Sequence, residues 1–508
     1  MNQLKAGVFL NYIVISLNIL VGLLYTPFML RQIGQSEYGI YSLAFSVIAY
    51  LTILDLGFGN AIVRYTAKYR AENKLKEQYE LFGLFLIVYF VIGIFAFFVG
   101  FCLYINVDNI FGTNLTSIEL ERTKIIMFIL IINLVVTFPF SLFGSIIIAY
   151  EQFIFPKVVN IVRIVLNTVI MLYLLSMGYK AIAMALVQTV FNFLTLLINF
   201  YYCIRVLKIK VLFGKFEWGV FKDIAIYSFW IFLNVIMDKV YWSTGQFVLG
   251  AVAGTVAVSI FAVAIQLESM YMHFSTAISS VFLPKITGMI ALGTSNKEIS
   301  DLFIRTGRIQ FIVLSFILFG FIVFGHQFIC LWAGYEYEKS YYITLIFYIA
   351  LFVPLIQNLG IIILQARNEM KFRCILYVII ASIAFVLQII FAKQWGEMGC
   401  AIVIGCALFI GQGLVMNVYY MKKQNLDIIQ FWKEISRMSI PPFLLSLVTI
   451  YILSNFLVID SWGKLLFGII IYALIYIPVF YIFSMNEDER KLLLTPLCMC
   501  KNRSRMLK

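Results

Sequence analysis

Apolar runs long enough to cross a bilayer recur along the whole chain, and the positive charge falls almost entirely in every second gap between them. A helix needs about 20 predominantly apolar residues to span the hydrocarbon layer. Fourteen stretches meet that requirement: 6–28, 38–60, 80–104, 125–149, 158–177, 181–204, 224–249, 255–280, 309–330, 342–365, 374–393, 398–421, 438–458 and 464–484. Backbone in lipid must satisfy its hydrogen bonds within the segment, so these stretches are predicted to be helices. The composition, 63% hydrophobic and 12% charged, lies outside the ordinary soluble range. The expected fold class is an all-α polytopic membrane protein of about 14 transmembrane helices.

The charges give the orientation. With the N-terminus inside, 29 of the 38 Lys and Arg residues fall in inside gaps and seven in outside gaps, leaving Arg163 and Lys239 within segments. The positive-inside rule then predicts that both termini are cytoplasmic. A missed or extra segment would invert every later gap and scramble the pattern. The net charge of +13 needs no nucleic acid partner and reads as anchoring to the anionic inner leaflet. The first apolar run is long and lacks a small-residue cleavage site, so it is read as an anchor rather than a cleaved signal peptide. The eight cysteines show no metal-ligand spacing and no disulfide framework. Cys498 and Cys500 sit in a tail without further ligands. No metal and no cofactor is expected.

A basic, partly apolar gap, 205–222, separates the first six segments from the next six and suits an amphipathic stretch on the inner surface. The expected organisation is an N-terminal six-helix lobe (1–204), this linker, a C-terminal six-helix lobe (223–421), two additional helices (422–484) and a basic tail (485–508). The two lobes share weak marks in register. Gly34 and Gly254 lie 220 apart, as do Ile40-Tyr41-Ser42-Leu43-Ala44 and Ile260-Phe261-Ala262-Val263-Ala264. Pro139 and Pro354 lie 215 apart, each followed by a glycine and an apolar run. Copies separated by six helices have the same orientation and would be related by an axis along the membrane normal. Chance similarity between apolar segments is the alternative. A mid-helix proline removes a hydrogen bond and kinks the helix, so paired kinks are expected in the fourth and tenth segments.

The stretch from Pro27 reads P-F-M-L-R-Q-I-G-Q-S-E-Y-G-I-Y-S-L, followed by L-D-L-G-F-G-N-A-I-V-R-Y around Arg64. It resembles the opening of bacterial polysaccharide flippases, the lipid-linked oligosaccharide (O-antigen type) exporters of the multidrug/oligosaccharidyl-lipid/polysaccharide superfamily. Tyr150-Glu151-Gln152-Phe153 and Phe282-Leu283-Pro284-Lys285 are similar too, and the resemblance spans essentially residues 1–484. It implies two pseudo-symmetric six-helix lobes around a central cavity that opens alternately to each side, plus the two extra C-terminal helices. It also implies an undecaprenyl-diphosphate-linked oligosaccharide as cargo, carried from the cytoplasmic to the outer leaflet of a bacterial cytoplasmic membrane. The product would serve O-antigen, capsule or exopolysaccharide synthesis. A monomer working beside the polymerase and glycosyltransferases of the same pathway is the implied assembly.

Ionisable side chains inside a membrane are costly and are either functional or paired within the bundle. Arginine suits a diphosphate because its planar fork engages two oxygens at once. Arg163 and Arg64 are therefore the first candidates for holding the diphosphate, with Lys239 third; Arg64 at the inner interface would otherwise simply snorkel. Asn160 and Asn167 lie three residues before and four after Arg163, so the three share a helix face that is improbable against lipid. Asn234 and Asp238 form an i, i+4 stripe with Trp242, suited to a cavity wall. Asp238 and Lys239 point about 100° apart and do not suit each other as partners. Glu268 either neutralises Lys239 or, like Asp238, binds H+ or Na+ and couples transport to an ion gradient; Asp55 belongs to the same group of carboxylates available for coupling or charge pairing. Amides such as Gln188, Asn192 and Gln357 either contact sugar hydroxyls or join helices.

Two other classes of protein are the alternatives. A membrane glycan polymerase or glycosyltransferase would need a catalytic constellation, yet the longest outside gap, 105–124, holds neither histidine nor cysteine, and no Walker loop or nucleophile elbow occurs. The chain is not expected to be an enzyme. A small-molecule or multidrug exporter of the same superfamily would prefer an acidic, aromatic cavity; Arg163 and Lys239 against Asp238 and Glu268 give a near balance.

Overall fold

The computed structural model describes residues 3–214, 218–456, 459–487 and 489–490, and at a few helical positions the backbone only. Within these residues the elements are helices and short turns. In chain order they are α1 (Gln3–Leu51), α2 (Phe58–Ala71), α3 (Leu75–Ile105), α4 (Val107–Phe111), α5 (Ser117–Ala149), α6 (Ile154–Ser176), α7 (Ala181–Tyr201), α8 (Trp218–Trp242), α9 (Thr244–Val252), α10 (Gly254–Ser279), α11 (Leu283–Ala291), α12 (Asn296–Trp332), α13 (Lys339–Ile356), α14 (Asn358–Arg367), α15 (Lys371–Leu408), α16 (Met416–Lys422), α17 (Ile428–Phe456) and α18 (Trp462–Phe483).

Among the described residues, 11 runs are long and apolar enough to cross a membrane. Two of them, Phe9–Ala71 and Lys371–Lys422, each contain two of the expected segments, and stretch 224–249 is formed by α8 and α9. All fourteen expected segments are therefore helical over most of their length. The doubled runs bend at glycines. Gly34 in α1 adopts φ 78° and ψ 170°, and Gly396 in α15 adopts φ 56° and ψ −135°; a Cβ would make both conformations costly.

The chain divides into two compact units, one formed by residues 1–266 and 371–404, the other by 267–370 and 405–508. In the first unit α5 packs against α1, α2, α3 and α7. Its start follows from T-S-I-E. The Glu119 N–H donates to Thr116 Oγ1, and the Thr116 N–H donates back to Glu119 Oε2 at 2.8 Å, a reciprocal cap that satisfies two otherwise orphaned donors. The other carboxylate oxygen, Oε1, accepts Ser36 Oγ at 2.5 Å and Thr255 Oγ1 at 2.7 Å. One carboxylate thus ties the start of α5 to the residues just beyond Gly34 and Gly254, the two glycines 220 apart in sequence. One turn on, Arg122 pairs with Glu37, which is 5% exposed.

The paired prolines behave differently. α5 runs unbroken through Pro139. The ring leaves the Val135 carbonyl without its helical donor, and Gly93 of α3 packs there, where a Cβ would lie 3.1 Å from that oxygen. Beyond Pro354, by contrast, α13 stops at Ile356, and α14 begins after Gln357.

In the second unit α12 packs against α13, α17 and α18. Arg308, 5% exposed, lies near the start of α12. Its Nε and Nη1 donate to Glu489 Oε1 and Glu434 Oε2, both at 2.6 Å, and its Nη2 donates to Glu489 Oε2 at 2.9 Å and the Ser484 carbonyl at 3.2 Å. α17 and the turn after α18 are thereby clasped to α12 by one buried guanidinium. By sequence alone Arg308 is one of the inside-gap charges.

Candidate functional site

The charged side chains predicted from sequence fall at three places, two of them within the first unit. The first place is the α6 face. Lys157 Nζ donates to Asn11 Oδ1 of α1 at 2.6 Å. Asn160, Arg163 and Asn167 follow at spacings of three and four, all half-buried, which puts them on one face. Arg163 makes no hydrogen bond or ion pair among the described residues, and Asn167 Oδ1 is buried without a hydrogen-bond partner. α1 packs along α6, so this polar face runs beside the N-terminal arm of α1. Lys157 and Asn11 extend the expected Asn-Arg-Asn stripe; the spacing 157, 160, 163, 167 was the available sign, hidden because Lys157 reads as a gap charge.

The second place is the C-terminal half of α8. Asp238 is exposed and Lys239 half-buried, whereas Met237 and Tyr241 are buried on the helix side that packs. The Tyr241 ring meets Tyr377 of α15 at 6.4 Å, edge to face. Arg373, one turn before Tyr377, places its guanidinium 4.4 Å over that ring, a cation–π arrangement. Asp238 lies within electrostatic reach of both Arg373 and Lys239. Sequence reasoning missed Arg373 because the first turn of a spanning helix looks like an ordinary interface charge; its i, i+4 spacing from Tyr377 was the signal. The side chain of Asn234 lies outside the described residues.

α8 also packs on α2 and on the turn Thr52–Asp55 before it, the segments that carry Arg64 and Asp55. Asp55 accepts Tyr89 Oη at 2.9 Å and the N–H groups of Gly57 and Gly59. Its carboxylate thus holds the reversal at Leu56 and Gly57, both with positive φ, and sits favourably at the start of α2. Arg64 is exposed on α2.

Beside the α8 cluster lies a cavity of about 610 Å³. Val47 and Tyr50 of α1, Val240 of α8, Phe247 of α9, and Phe385 and Val386 of α15 form most of its wall. Tyr50 Oη is hydrogen-bonded to Thr244 Oγ1 at 2.5 Å, and apolar atoms make up most of the lining.

The third place, in the second unit, is Glu268 of α10. It is 1% exposed, forms no ion pair among the described residues, and its Oε1 has no hydrogen-bond partner. Tyr348 lies close by and donates to the Leu267 carbonyl at 3.1 Å, with its ring stacked on Tyr271 at 4.2 Å. The softer amides of the sequence mostly join helices. Asn192 Nδ2 donates to Asn133 Oδ1 and Thr137 Oγ1 at 2.7 Å, and Gln357 exchanges hydrogen bonds with Asn417. Among the described residues no group of three or more His, Cys, Asp or Glu side chains is placed to hold a metal ion.

The family model described as "Polysaccharide biosynthesis protein" matches residues 4–290. No curated protein matches the chain by sequence. Solved structures match it in fold. "Lipid II flippase MurJ, inward closed conformation" is 18% identical with a TM-score of 0.68, over 96% of this chain and 99% of that one. A multidrug resistance MATE family transporter of the MOP superfamily, in an inward-facing conformation, is 15% identical with a TM-score of 0.57, over 82% and 96%. A MOP superfamily transporter from Pyrococcus furiosus, described as having a binding pocket of reverse polarity, is 14% identical with a TM-score of 0.53, over 83% and 96%.

Proposed function

We propose, since this chain belongs to the polysaccharide biosynthesis protein family, that it is a flippase that carries a polyprenyl-diphosphate-linked oligosaccharide across the bacterial cytoplasmic membrane by alternating access. The observation that carries this reading is Arg163: a half-buried guanidinium without a protein partner among the described residues, on a membrane-spanning helix, between two asparagines of the same face. A charge in that setting is not tolerated for packing alone, and its fork matches a phosphate. The asparagines supply donors and acceptors for sugar hydroxyls. Arg64 and Lys239 are the further cations for the same anionic cargo, and the undecaprenyl carrier, O-antigen, capsule or exopolysaccharide are its proposed contexts.

The basic gaps, and with them both termini, are assigned to the cytoplasm. Coupling to H+ or Na+ is assigned to Glu268 and Asp238. A carboxylate as enclosed and unpartnered as Glu268 needs a bound proton or cation to remain in place. The exposed Asp238 is open to exchange.

The test is the leaflet distribution of lipid-linked oligosaccharide in cells depleted of the protein. Accumulation on the cytoplasmic side with loss of surface glycan is the expected result. An unchanged distribution, with sensitivity to cationic drugs instead, would replace this reading with small-molecule export.

A further inference from the structure

Glu268 is enclosed in mid-helix, and a coupling carboxylate needs a route to one side of the membrane. Glu268, Tyr271, Ser275 and Ser279 recur at spacings of three and four, so they share one face of α10, and none is more than 2% exposed. On the same face toward the start of α10 stand Phe261 and Ala264, apolar and fully buried. Toward its end, which leads into the basic gap at Lys285, the face is polar. Glu268 and Ser279 are 11 residues apart, about 16 Å at 1.5 Å per residue and so about half of a hydrocarbon layer of about 30 Å.

The seam that buries this face is built from the second unit alone. Beside Glu268, Tyr348 of α13 donates to the Leu267 carbonyl at 3.1 Å. Its ring stacks on Tyr271, whose Oη donates to the Leu314 carbonyl of α12 at 3.3 Å. One turn further, Gln310 of α12 donates through Nε2 to Ser275 Oγ at 3.1 Å and to the Ser275 carbonyl at 3.3 Å. Ser275 Oγ donates to the Leu355 carbonyl at 2.7 Å, next to the break that ends α13, and accepts Asn358 Nδ2 of α14 at 3.1 Å. Gln310 Oε1 is buried without a partner in this layer, as Glu268 Oε1 is two turns away. Buried acceptors in that state call for a donor, and water or a proton is one.

We propose that the ion coupled at Glu268 is a proton, and that it exchanges with the cytoplasmic side along this seam, through water held at Gln310 Oε1 and the phenol hydroxyls of Tyr271 and Tyr348. The proposal rests on the coupling role that the flippase reading gives Glu268, and adds which ion and from which side. The surroundings choose the ion. The titratable groups facing Glu268 are Tyr271, Tyr348 of α13 and, against Tyr271, Tyr476 of α18, whose hydroxyl meets Ser315 of α12 at 2.8 Å. A proton needs one oxygen, whereas a hard metal cation needs several converging ones. Each phenol donates to a carbonyl and keeps lone pairs to accept with. At each hand-over an oxygen takes one proton and releases another, so the phenols end unchanged and the carboxylate ends as the neutral acid that an apolar interior favours.

The experiment records transient charge movement after a jump in pH or in sodium, on inside-out and right-side-out vesicles that carry the full-length protein on a solid-supported membrane. A pH jump at the cytoplasmic face is expected to give a transient that Glu268→Gln removes. A pH jump at the outer face, or a sodium jump at constant pH, is expected to give none. Gln310→Leu and Tyr271→Phe should slow the transient about tenfold, the worth of one hydrogen bond, with the total charge and its pH midpoint as in the wild type; a merely structural loss would move those two as well. Absence of the transient in the wild type, its persistence in Glu268→Gln, its appearance from the outer face or with sodium, or wild-type rates in both variants would overturn the route. So would lost charge or a shifted midpoint in both variants, which would make Gln310 and Tyr271 packing residues. The flippase reading is judged separately by the leaflet distribution: redistribution on depletion without a proton transient at Glu268 leaves that reading standing and removes only the proton route.

Discussion

At the scale of single residues, the two decisive positions are an arginine and a glycine. Arg163 is a cation on a membrane helix with no hydrogen bond or ion pair among the described residues. Arg163→Ala should lower glycan export about tenfold to a hundredfold, the loss of one or two charge-assisted hydrogen bonds, while the protein remains inserted. Surface glycan measured against membrane-protein level checks this, and normal export at normal abundance removes Arg163 from the site. Gly39 is the converse. A Cβ there would penetrate the carbonyl of Thr255, so α1 and the start of α10 approach as closely as they do only because position 39 is glycine. Gly39→Val should cost about 1–3 kcal/mol through overpacking, read as a lowered thermal midpoint. Because Thr255 also donates to Glu119, the same substitution should loosen the first turn of α5, detectable as faster amide exchange there.

At the scale of helices, the last two spanning elements are held by charge as well as by apolar contact. Removing one member of a buried ion pair leaves the other uncompensated, at a cost of about 3–5 kcal/mol. Arg308→Ala should therefore destabilise the packing of α17 and α18 on α12 by about that amount, and limited proteolysis of the α17–α18 hairpin in membranes should speed up correspondingly. Helices as such were legible in sequence, because length and hydropathy are local. The T-S-I-E cap was equally local. What sequence could not supply was pairing between distant elements: Arg308 with Glu434 and Glu489, or the meeting of Tyr377, beneath Arg373, with Tyr241 of α8. Each of those arginines lies near a segment end, where solvent, lipid phosphate and a buried carboxylate are indistinguishable without the fold. The Asn160–Arg163–Asn167 stripe was legible because its logic is confined to one helix; its neighbours Asn11 and Lys157 were not, since they meet across α1 and α6. The paired prolines differ in form: Pro139 sits in a continuous helix, and Pro354 is followed by a break.

For the whole molecule, the pattern of charge and the enclosed carboxylate make a joint demand. If Glu268 carries the coupling ion, Glu268→Gln should abolish the stimulation of transport by an imposed proton or sodium gradient in proteoliposomes while leaving exchange without a gradient intact. Unaltered stimulation would move the coupling role to Asp238. The Arg308 clasp has a consequence for how the chain comes into being. Its two carboxylates are 126 and 181 residues downstream. A nascent chain must therefore shelter a bare guanidinium while more than a hundred residues are still being synthesised and inserted. A ribosome that stops before Glu434 releases a protein with most of its spanning helices in place and an unanswered positive charge against its core. Such a product carries the penalty of an uncompensated buried charge, about 3–5 kcal/mol, so the last hairpin completes the second unit electrostatically as well as by packing.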